Sequence, residues 1–323
     1  MKKWIALLFI GLLVGCGSQV EDELTTVRLS EVTRSVFYAP QYVAMALGFF
    51  EEEGLLIELV TSDGADNVMV ALLSGAADIG LSGPEAAIYV YNAGRVDHAV
   101  IFAGLTSRDG SFLIGRSPSF TWDDLRGAHV LPGRRGGMPF MVLESVLMEK
   151  GIVADVQFDT SIQFAAVVGA FLGGTGDFVT AFEPVASTIE LEGRGYVVAS
   201  VGMESRELPY TTYYALESFI YENPDVIQGF TNAIARGQAF VQHHSPESIA
   251  TTIAPFFPDA ELEILASAIS RYQVIGAYAL TPLISEAAFY QLQAIMINAG
   301  ELTYKASFET LVSNEFAERV ESD

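Results

Sequence analysis

Residues 72–85 combine small residues, a hydroxyl group and a carboxylate at the predicted start of a helix. Pro84 suits the first turn of that helix, where its missing N–H is not needed. Ser82 and Gly83 can offer a hydroxyl and closely approachable backbone N–H groups to a ligand, and Glu85 adds a negative charge. These groups could bind a small molecule, because ligands of open α/β sheets bind at the carboxyl ends of strands. Taken alone, however, the segment is explained more simply as an ordinary strand–turn–helix connection.

Aromatic residues occupy two further loops. Phe37 and Tyr38 stand just before Pro40, which begins a predicted helix, and they can enclose a flat ring. Packing in the core beneath that helix explains both residues equally well. Tyr210 and Tyr213 are further aromatic candidates near a later loop, although Tyr213 can also be a strand residue that faces away. These positions favour a ligand with an aromatic or apolar surface.

A glycine-rich loop carries the basic candidates. Arg135, Gly136 and Gly137 precede a predicted helix, whose N-terminal N–H groups suit an anion or an electron-rich heteroatom. Solvation explains Arg134 and Arg135 equally well, since arginine side chains are normally exposed. This loop can therefore contribute ligand contacts from a second part of the chain.

The elements that position these loops follow an alternating strand–helix pattern that occurs twice. The pattern runs along residues 27–112 and again along residues 113–205, and residues 206–323 are predicted to return to the first unit as mostly helical chain. This predicts an α/β fold with two lobes, each built on a largely parallel sheet. The connections between the lobes are expected near residues 111–116 and 202–214. The candidate loops would then face each other across a cleft, because ligands bind at the carboxyl ends of strands in open sheets.

The N-terminus has the features of a lipoprotein signal peptide. Lys2 and Lys3 precede an apolar run at residues 4–14, which is too short to span a membrane and ends before Gly15 and Cys16. We predict cleavage after Gly15 and lipid attachment to Cys16, with residues 16–26 as a tether. The mature protein would then sit on the extracytoplasmic face of a bacterial cytoplasmic membrane, in the periplasm or at the cell surface. Mass spectrometry of the mature N-terminus tests this, and an intact Met1 would contradict it.

The charge of the chain argues against two classes of partner. The formal net charge is −23 at pH 7, and removal of the two lysines with the signal peptide takes it to −25. Such a surface repels nucleic acid phosphates and anionic lipid headgroups, so neither is expected to bind. The same charge favours a soluble monomer. Cys16 is the single cysteine, so no disulfide can form within one chain.

Several segments together resemble the ABC-transporter substrate-binding proteins of the SsuA/ThiY-like family, which serve sulfonate, nitrate and thiamine-precursor uptake. The resemblance covers essentially the whole mature chain. Its segments, in chain order, are Phe37-Tyr38-Ala39-Pro40, residues 44–55, residues 71–80, Asp124-Leu125-Arg126-Gly127, residues 133–137 and residues 176–184 ending in Phe182-Glu183-Pro184.

The resemblance implies a type II periplasmic-binding-protein-like fold that closes by a hinge on a small ligand. It also implies a partner permease with its ATPase, no catalysis by this subunit and no cofactor. Phe182 and Glu183 match a family position at which a glutamate can meet a ligand amine or ring N–H. A favourable negative charge in the first turn of a helix is the alternative explanation of Glu183.

The ligand class is predicted from the charge balance at the cleft. A sulfonate or nitrate site needs N–H groups and positive charge, whereas here Glu85 and Glu183 both begin helices aimed at the cleft. A heteroaromatic ligand, such as a thiamine pyrimidine precursor or a flavin, is therefore the first expectation, and an alkanesulfonate or nitrate is the alternative. Replacement of Glu183 by glutamine is then expected to weaken an amine-bearing ligand.

Two rival classes stay open. Some members of the wider fold are pyrimidine synthases that use a lysine-bound cofactor and a histidine, but neither Lys150 nor Lys305 lies on a predicted cleft loop. The four histidines show no zinc-ligand spacing, and no nucleophile elbow or phosphate-binding loop is present. The second rival class is a tethered receptor that feeds a sensor instead of a permease. A neighbouring permease gene in the genome would favour the transport protein over this receptor.

Overall fold

Two five-stranded mixed sheets form the framework of the protein in a computed structural model, which describes residues 24–320. The strands are β1 (Thr25–Glu31), β2 (Leu55–Thr61), β3 (Ile79–Ser82), β4 (Ala99–Thr106), β5 (Phe112–Gly115), β6 (His129–Leu131), β7 (Gln157–Phe158), β8 (Phe178–Ala181), β9 (Tyr196–Ser200) and β10 (Thr211–Leu216). The first sheet has the order β2-β1-β3-β10-β4 and the second has the order β7-β6-β8-β5-β9. Each sheet with its helices is one lobe, which confirms the predicted two-lobe α/β fold.

Helices cover the faces of both sheets. They are α1 (Ala39–Ala46), α2 (Phe49–Glu52), α3 (Ala65–Leu73), α4 (Glu85–Asn92), α5 (Met138–Glu149), α6 (Val167–Leu172), α7 (Val185–Leu191), α8 (Val201–Glu204), α9 (Glu217–Glu222), α10 (Pro224–His243), α11 (Pro246–Ile253), α12 (Leu262–Val274), α13 (Glu286–Asn298), α14 (Phe308–Leu311) and α15 (Glu315–Glu318). Short 3-10 turns lie at Val36–Tyr38, Trp122–Leu125, Val153–Asp155, Phe164–Ala166 and Ala254–Phe256.

Neither sheet is as parallel as the alternating pattern predicts. In the first sheet β1 is parallel to β2 and β3, but β10 is antiparallel to both β3 and β4. In the second sheet β5 is antiparallel to β8 and β9. The reason is topological, because β5 and β10 enter their sheets directly from the other lobe and not through a helical crossover, which parallel pairing requires.

Two adjacent segments connect the lobes. The chain leaves the first sheet after Thr106 and returns before Thr211, and the N–H groups of Leu208 and Tyr210 bond to the carbonyl oxygens of Ser107 and Thr106, both at 3.0 Å. Phe112 already pairs with β8 and β9 in the second sheet. After β10 the chain returns to the first lobe, where α10 lies against α1, and α12 and α13 also contact α7 and α5 of the second lobe.

One local prediction needs correction. The apolar stripe of Val43, Leu47 and Phe50 predicts a single helix that begins at Pro40, but the chain forms α1 and α2 with a break between them. Gly48 lies at the break with φ of +74°, a left-handed conformation that favours glycine. Leu47 is consequently exposed at the end of α1.

The N-terminal predictions fall outside this description. The signal peptide at residues 1–15, the lipid site Cys16 and the tether as far as residue 23 all lie outside the described residues. Within residues 24–320, no helix has the length and apolar character needed to cross a membrane.

Candidate functional site

A cleft of about 640 Å³, including its open mouth, lies between the two lobes. It is lined by loops at the ends of strands and the starts of helices from both lobes, as the topology requires for an interlobe site. Six of the predicted site residues line it: Tyr38, Gly83, Glu85, Gly137, Phe182 and Tyr210. The lining residues that the prediction did not select include Met138, Phe164, Thr211 and Arg134.

The cleft has a continuous aromatic wall. Phe37 is fully buried behind this wall, and the centroid of its ring lies 5.7 Å from each of the ring centroids of Tyr38, Phe182 and Tyr210. Phe164 extends the wall at 6.0 Å from Phe182. Phe37 therefore supports the aromatic surface from beneath, and its neighbours present that surface to the cleft.

Glu85 is a buried acidic side chain in the cleft lining, and one of its two carboxylate oxygens has no hydrogen-bond partner. The residue is 2% exposed, and its Oε2 atom is buried without a hydrogen-bond partner. Burial raises the pKa of Glu85 to about 7, although its own backbone N–H, Arg134 and the N–H of Met138 act in the opposite direction. A buried carboxylate oxygen without a partner is costly, so a group on a ligand that donates a hydrogen bond to this carboxylate would be favoured.

Gly83 makes room for this carboxylate. A Cβ atom at Gly83 would lie 2.0 Å from Oε2 of Glu85 and 2.7 Å from Cγ of Met138. Both distances are far below van der Waals contact. Glycine is therefore required for Glu85 to fold back over its own loop toward the cleft.

Replacement of Gly83 by alanine is expected to displace the Glu85 carboxylate and raise the Kd of a cleft ligand about tenfold, since overpacking typically costs 1–3 kcal/mol. Stability should change less, because the end of the Glu85 side chain can move aside. The matched control is Gly169→Ala, where a Cβ atom meets nothing within 4 Å. Calorimetric titration checks the affinity, and equal affinity of the two variants would contradict the proposed location of the ligand.

The two loop arginines are not free cations within the cleft. Arg134 lines the cleft but forms an ion pair at 2.8 Å with Asp66, which belongs to α3 of the other lobe. Arg135 is exposed outside the cleft lining, 5.3 Å over the ring of Phe140. Gly136, with φ of +75°, turns the loop so that its carbonyl oxygen accepts the Tyr89 hydroxyl at 2.9 Å. This loop therefore joins the lobes by contacts at the cleft rim.

The remaining predicted residues are not brought into the cleft lining. The Ser82 hydroxyl lies 2.6 Å from the Tyr214 hydroxyl, and the Tyr213 hydroxyl donates to Gln41 at 2.9 Å. Pro40 belongs to α1, where its carbonyl oxygen closely faces Gly237 of α10. All three sites are buried packing positions.

Glu183 is also outside the cleft lining. Its carboxylate accepts hydrogen bonds from Arg271 at 2.8 Å and from the Ser187 N–H at 2.9 Å. The sequence places Glu85 and Glu183 at comparable helix starts, but the structure turns only Glu85 to the cleft. Arg271 is far away in the sequence, and no local signal could have indicated this pairing.

Across residues 24–320, no group of three or more His, Cys, Asp or Glu residues is arranged to hold a metal ion.

Comparison with known proteins identifies the family. The family model described as "NMT1/THI5 like" matches residues 36–248. The chain is 43% identical over 307 residues to a Bacillus subtilis (strain 168) protein named "Putative binding protein YtlA", covering 94% of this chain and 92% of that protein. The chain therefore belongs to the NMT1/THI5-like family, and the predicted family is confirmed.

Two solved structures share the fold. The alkanesulfonate-binding protein SsuA from Xanthomonas axonopodis pv. citri, bound to MOPS, has a TM-score of 0.73 at 15% identity, covering 90% of this chain and 99% of that chain. The periplasmic nitrate-binding protein NrtA from Synechocystis PCC 6803 has a TM-score of 0.71 at 15% identity, covering 92% of this chain and 88% of that chain. The protein thus has the periplasmic-binding-protein fold.

Proposed function

We propose that this protein is the extracytoplasmic solute-binding component of an ABC importer, and that it holds a small heteroaromatic molecule between its lobes for delivery to a permease. The thiamine pyrimidine precursor and related heterocycles such as flavins are the ligand class. The observation that carries this proposal is an aromatic cleft lined by Glu85, whose buried Oε2 atom has no hydrogen-bond partner. The names of SsuA, NrtA and YtlA, each of which is called a binding protein, support the binding part of the proposal.

The charge arrangement favours a hydrogen-bond donor over an oxyanion. Arg134 is paired with Asp66, and the N–H of Met138 at the start of α5 already lies close enough to Glu85 to lower its pKa. An anion about 4 Å from an ionised Glu85 would be repelled by about 4 kcal/mol at an effective dielectric constant of about 20, and because burial raises the pKa of Glu85 to about 7, this repulsion acts mainly above that pH. An aminopyrimidine avoids this repulsion, since its ring packs on the aromatic wall and its amino group can donate to Glu85.

Thermal melting of the purified protein against a ligand panel tests the proposal. The panel contains aminopyrimidines, thiamine, riboflavin, taurine, other alkanesulfonates, nitrate and polyamines. A ligand at about one hundred times its Kd adds roughly 2.7 kcal/mol to the stability of the folded state, which is a shift of several degrees. We expect the shift with a pyrimidine or a flavin. A shift with a sulfonate or nitrate alone would contradict the ligand class and retain the transport role.

A pyrimidine synthase is the enzymatic alternative, and the positions of the lysines do not favour it. Lys150 pairs with Glu204 and lies over Trp122, and Lys305 lies over Tyr290. Neither lysine lines the cleft. Absorbance of a lysine-bound aldimine after incubation with a pyridoxal cofactor would contradict a purely binding role.

A permease partner and a lipid anchor on Cys16 complete the proposal. Deletion of a neighbouring permease gene should abolish uptake of labelled ligand by intact cells, and it should leave binding by the purified protein unchanged. Uptake that persists would favour a receptor role instead.

A further inference from the structure

Glu183 connects the second lobe to two separate parts of the chain. It lies between β8 and α7, and its side chain is 0% exposed. Its backbone N–H donates to the Tyr272 hydroxyl at 2.9 Å, and its carbonyl oxygen accepts the Ser35 hydroxyl at 2.6 Å. Together with the Arg271 and Ser187 bonds to its carboxylate, each polar atom of Glu183 has a hydrogen-bond partner within the protein.

Arg271 completes an ionic fork between α12 and the second lobe. One guanidinium nitrogen binds Glu183 at 2.8 Å and another binds Glu190 of α7 at 2.8 Å. Glu183 is fully buried, whereas the side chains of Arg271 and Glu190 are 31% and 38% exposed. The Glu183 bond is therefore the one whose loss would leave a buried charge uncompensated.

The same residue connects the two sides of the aromatic wall. Ser35 bonds to Glu183 and also accepts the Phe37 N–H at 3.2 Å, so it caps the turn that carries Phe37 and Tyr38. Phe182, the neighbour of Glu183, presents its ring to the cleft beside Tyr210. Movement of Glu183 would therefore shift the wall contributed by each lobe.

We propose that Glu183 is a positioning residue that, together with Arg271, holds the two halves of the aromatic wall in register and makes no contact with the ligand. The binding part of this inference rests on the proposed function. The structural part concerns the protein without ligand and can be tested separately.

Hydrogen exchange of the unliganded protein is the first experiment. Glu183→Gln and Arg271→Gln are expected to accelerate amide exchange in residues 182–188 by about tenfold each, and the double variant by no more than either alone. The matched control Glu190→Gln, which removes the exposed arm of the fork, should change exchange less than about threefold. Unchanged exchange in both single variants would overturn the proposal.

Binding of two probes is the second experiment. The probes are the aminopyrimidine precursor of thiamine and its analogue without the amino group. Glu183→Gln should raise the Kd of both probes by the same factor, about five- to tenfold and mainly through faster dissociation, and Arg271→Gln should match it. Arg271→Lys should restore part of the affinity, a rescue that general destabilisation would not give.

The outcomes separate the alternatives. An effect of Glu183→Gln on the amine-bearing probe alone would show direct contact and overturn the positioning role. Binding of neither probe by the unmodified protein would count against the proposed ligand class, and the exchange experiment would still decide the role of Glu183. If Glu183→Gln does not fold, Arg271→Gln on a different element provides the same comparison.

Discussion

Replacement of Glu85 by glutamine is expected to weaken an amine-bearing heteroaromatic ligand by ~1.5–3 kcal/mol, or about 10- to 150-fold in Kd. Glu85 lines the cleft and its buried Oε2 atom has no hydrogen-bond partner in the protein, so a rotation of the carboxylate toward the cleft would let a ligand N–H supply the missing partner. Glutamine keeps the shape but removes the charge that strengthens this bond. Isothermal titration with the aminopyrimidine thiamine precursor measures the change.

Glu144→Gln is the matched control for this variant. Glu144 also has a buried Oε2 atom without a partner and a raised pKa caused by burial, but it does not line the cleft. We expect Glu144→Gln to leave the affinity within about twofold, in line with additivity of distant sites. Equal affinity of the Glu85→Gln variant and the unmodified protein would place the ligand donor elsewhere.

The unliganded protein is expected to lose stability as pH rises from about 4.5 to about 7. Burial raises the pKa of Glu85 from 4.5 to about 7, and burial raises that of Asp109 from 3.8 to about 7. In this window the folded protein keeps protons that the unfolded chain has released, so unfolding releases protons and becomes easier at higher pH. The stabilisation that these two protonated carboxyl groups provide is complete below their pKa values in the unfolded chain, and it is lost as the pH rises to about 7. For Glu85 alone, the free energy of unfolding falls by about 3 kcal/mol across this pH range.

Denaturant unfolding between pH 4.5 and pH 7.5 measures this effect. Glu85→Gln should remove the Glu85 part of the slope, and Asp109→Asn should remove a separate part, because the Asp109 carboxylate contacts Ser111 in the connection between the lobes. Parallel pH profiles for the unmodified protein and Glu85→Gln would contradict the raised pKa of Glu85.

Ligand binding should show the opposite pH dependence. A ligand that donates to ionised Glu85 competes with its proton, so affinity should rise with pH up to about 7 and then level off, at most tenfold per pH unit. Glu85→Gln should flatten this profile. A ligand that binds equally well on both sides of pH 7 would show that its contacts do not depend on the ionisation of Glu85.

Much of the fold was predictable from local sequence signals. Pro224 and the Thr121 capping box with Asp124 are helix-start signals contained in the sequence, and in the structure α10 begins at Pro224 and a 3-10 turn begins directly after Thr121. The alternation of strands and helices sufficed for the fold class and the two lobes. These features depend on residues close together in the chain, so backbone propensity and apolar periodicity determine them.

The tertiary structure alone decided which of two similar candidates faces the cleft. Glu85 and Glu183 both stand at a helix start after a short strand, but Arg271, 88 residues away, neutralises only Glu183. The neighbouring residues Phe37 and Tyr38 also differ in position, because Phe37 is buried behind the aromatic wall whereas Tyr38 lines the cleft. Sequence spacing specified the candidate loops, whereas partners from distant elements determined which side chains are satisfied within the protein and which ones line the cleft.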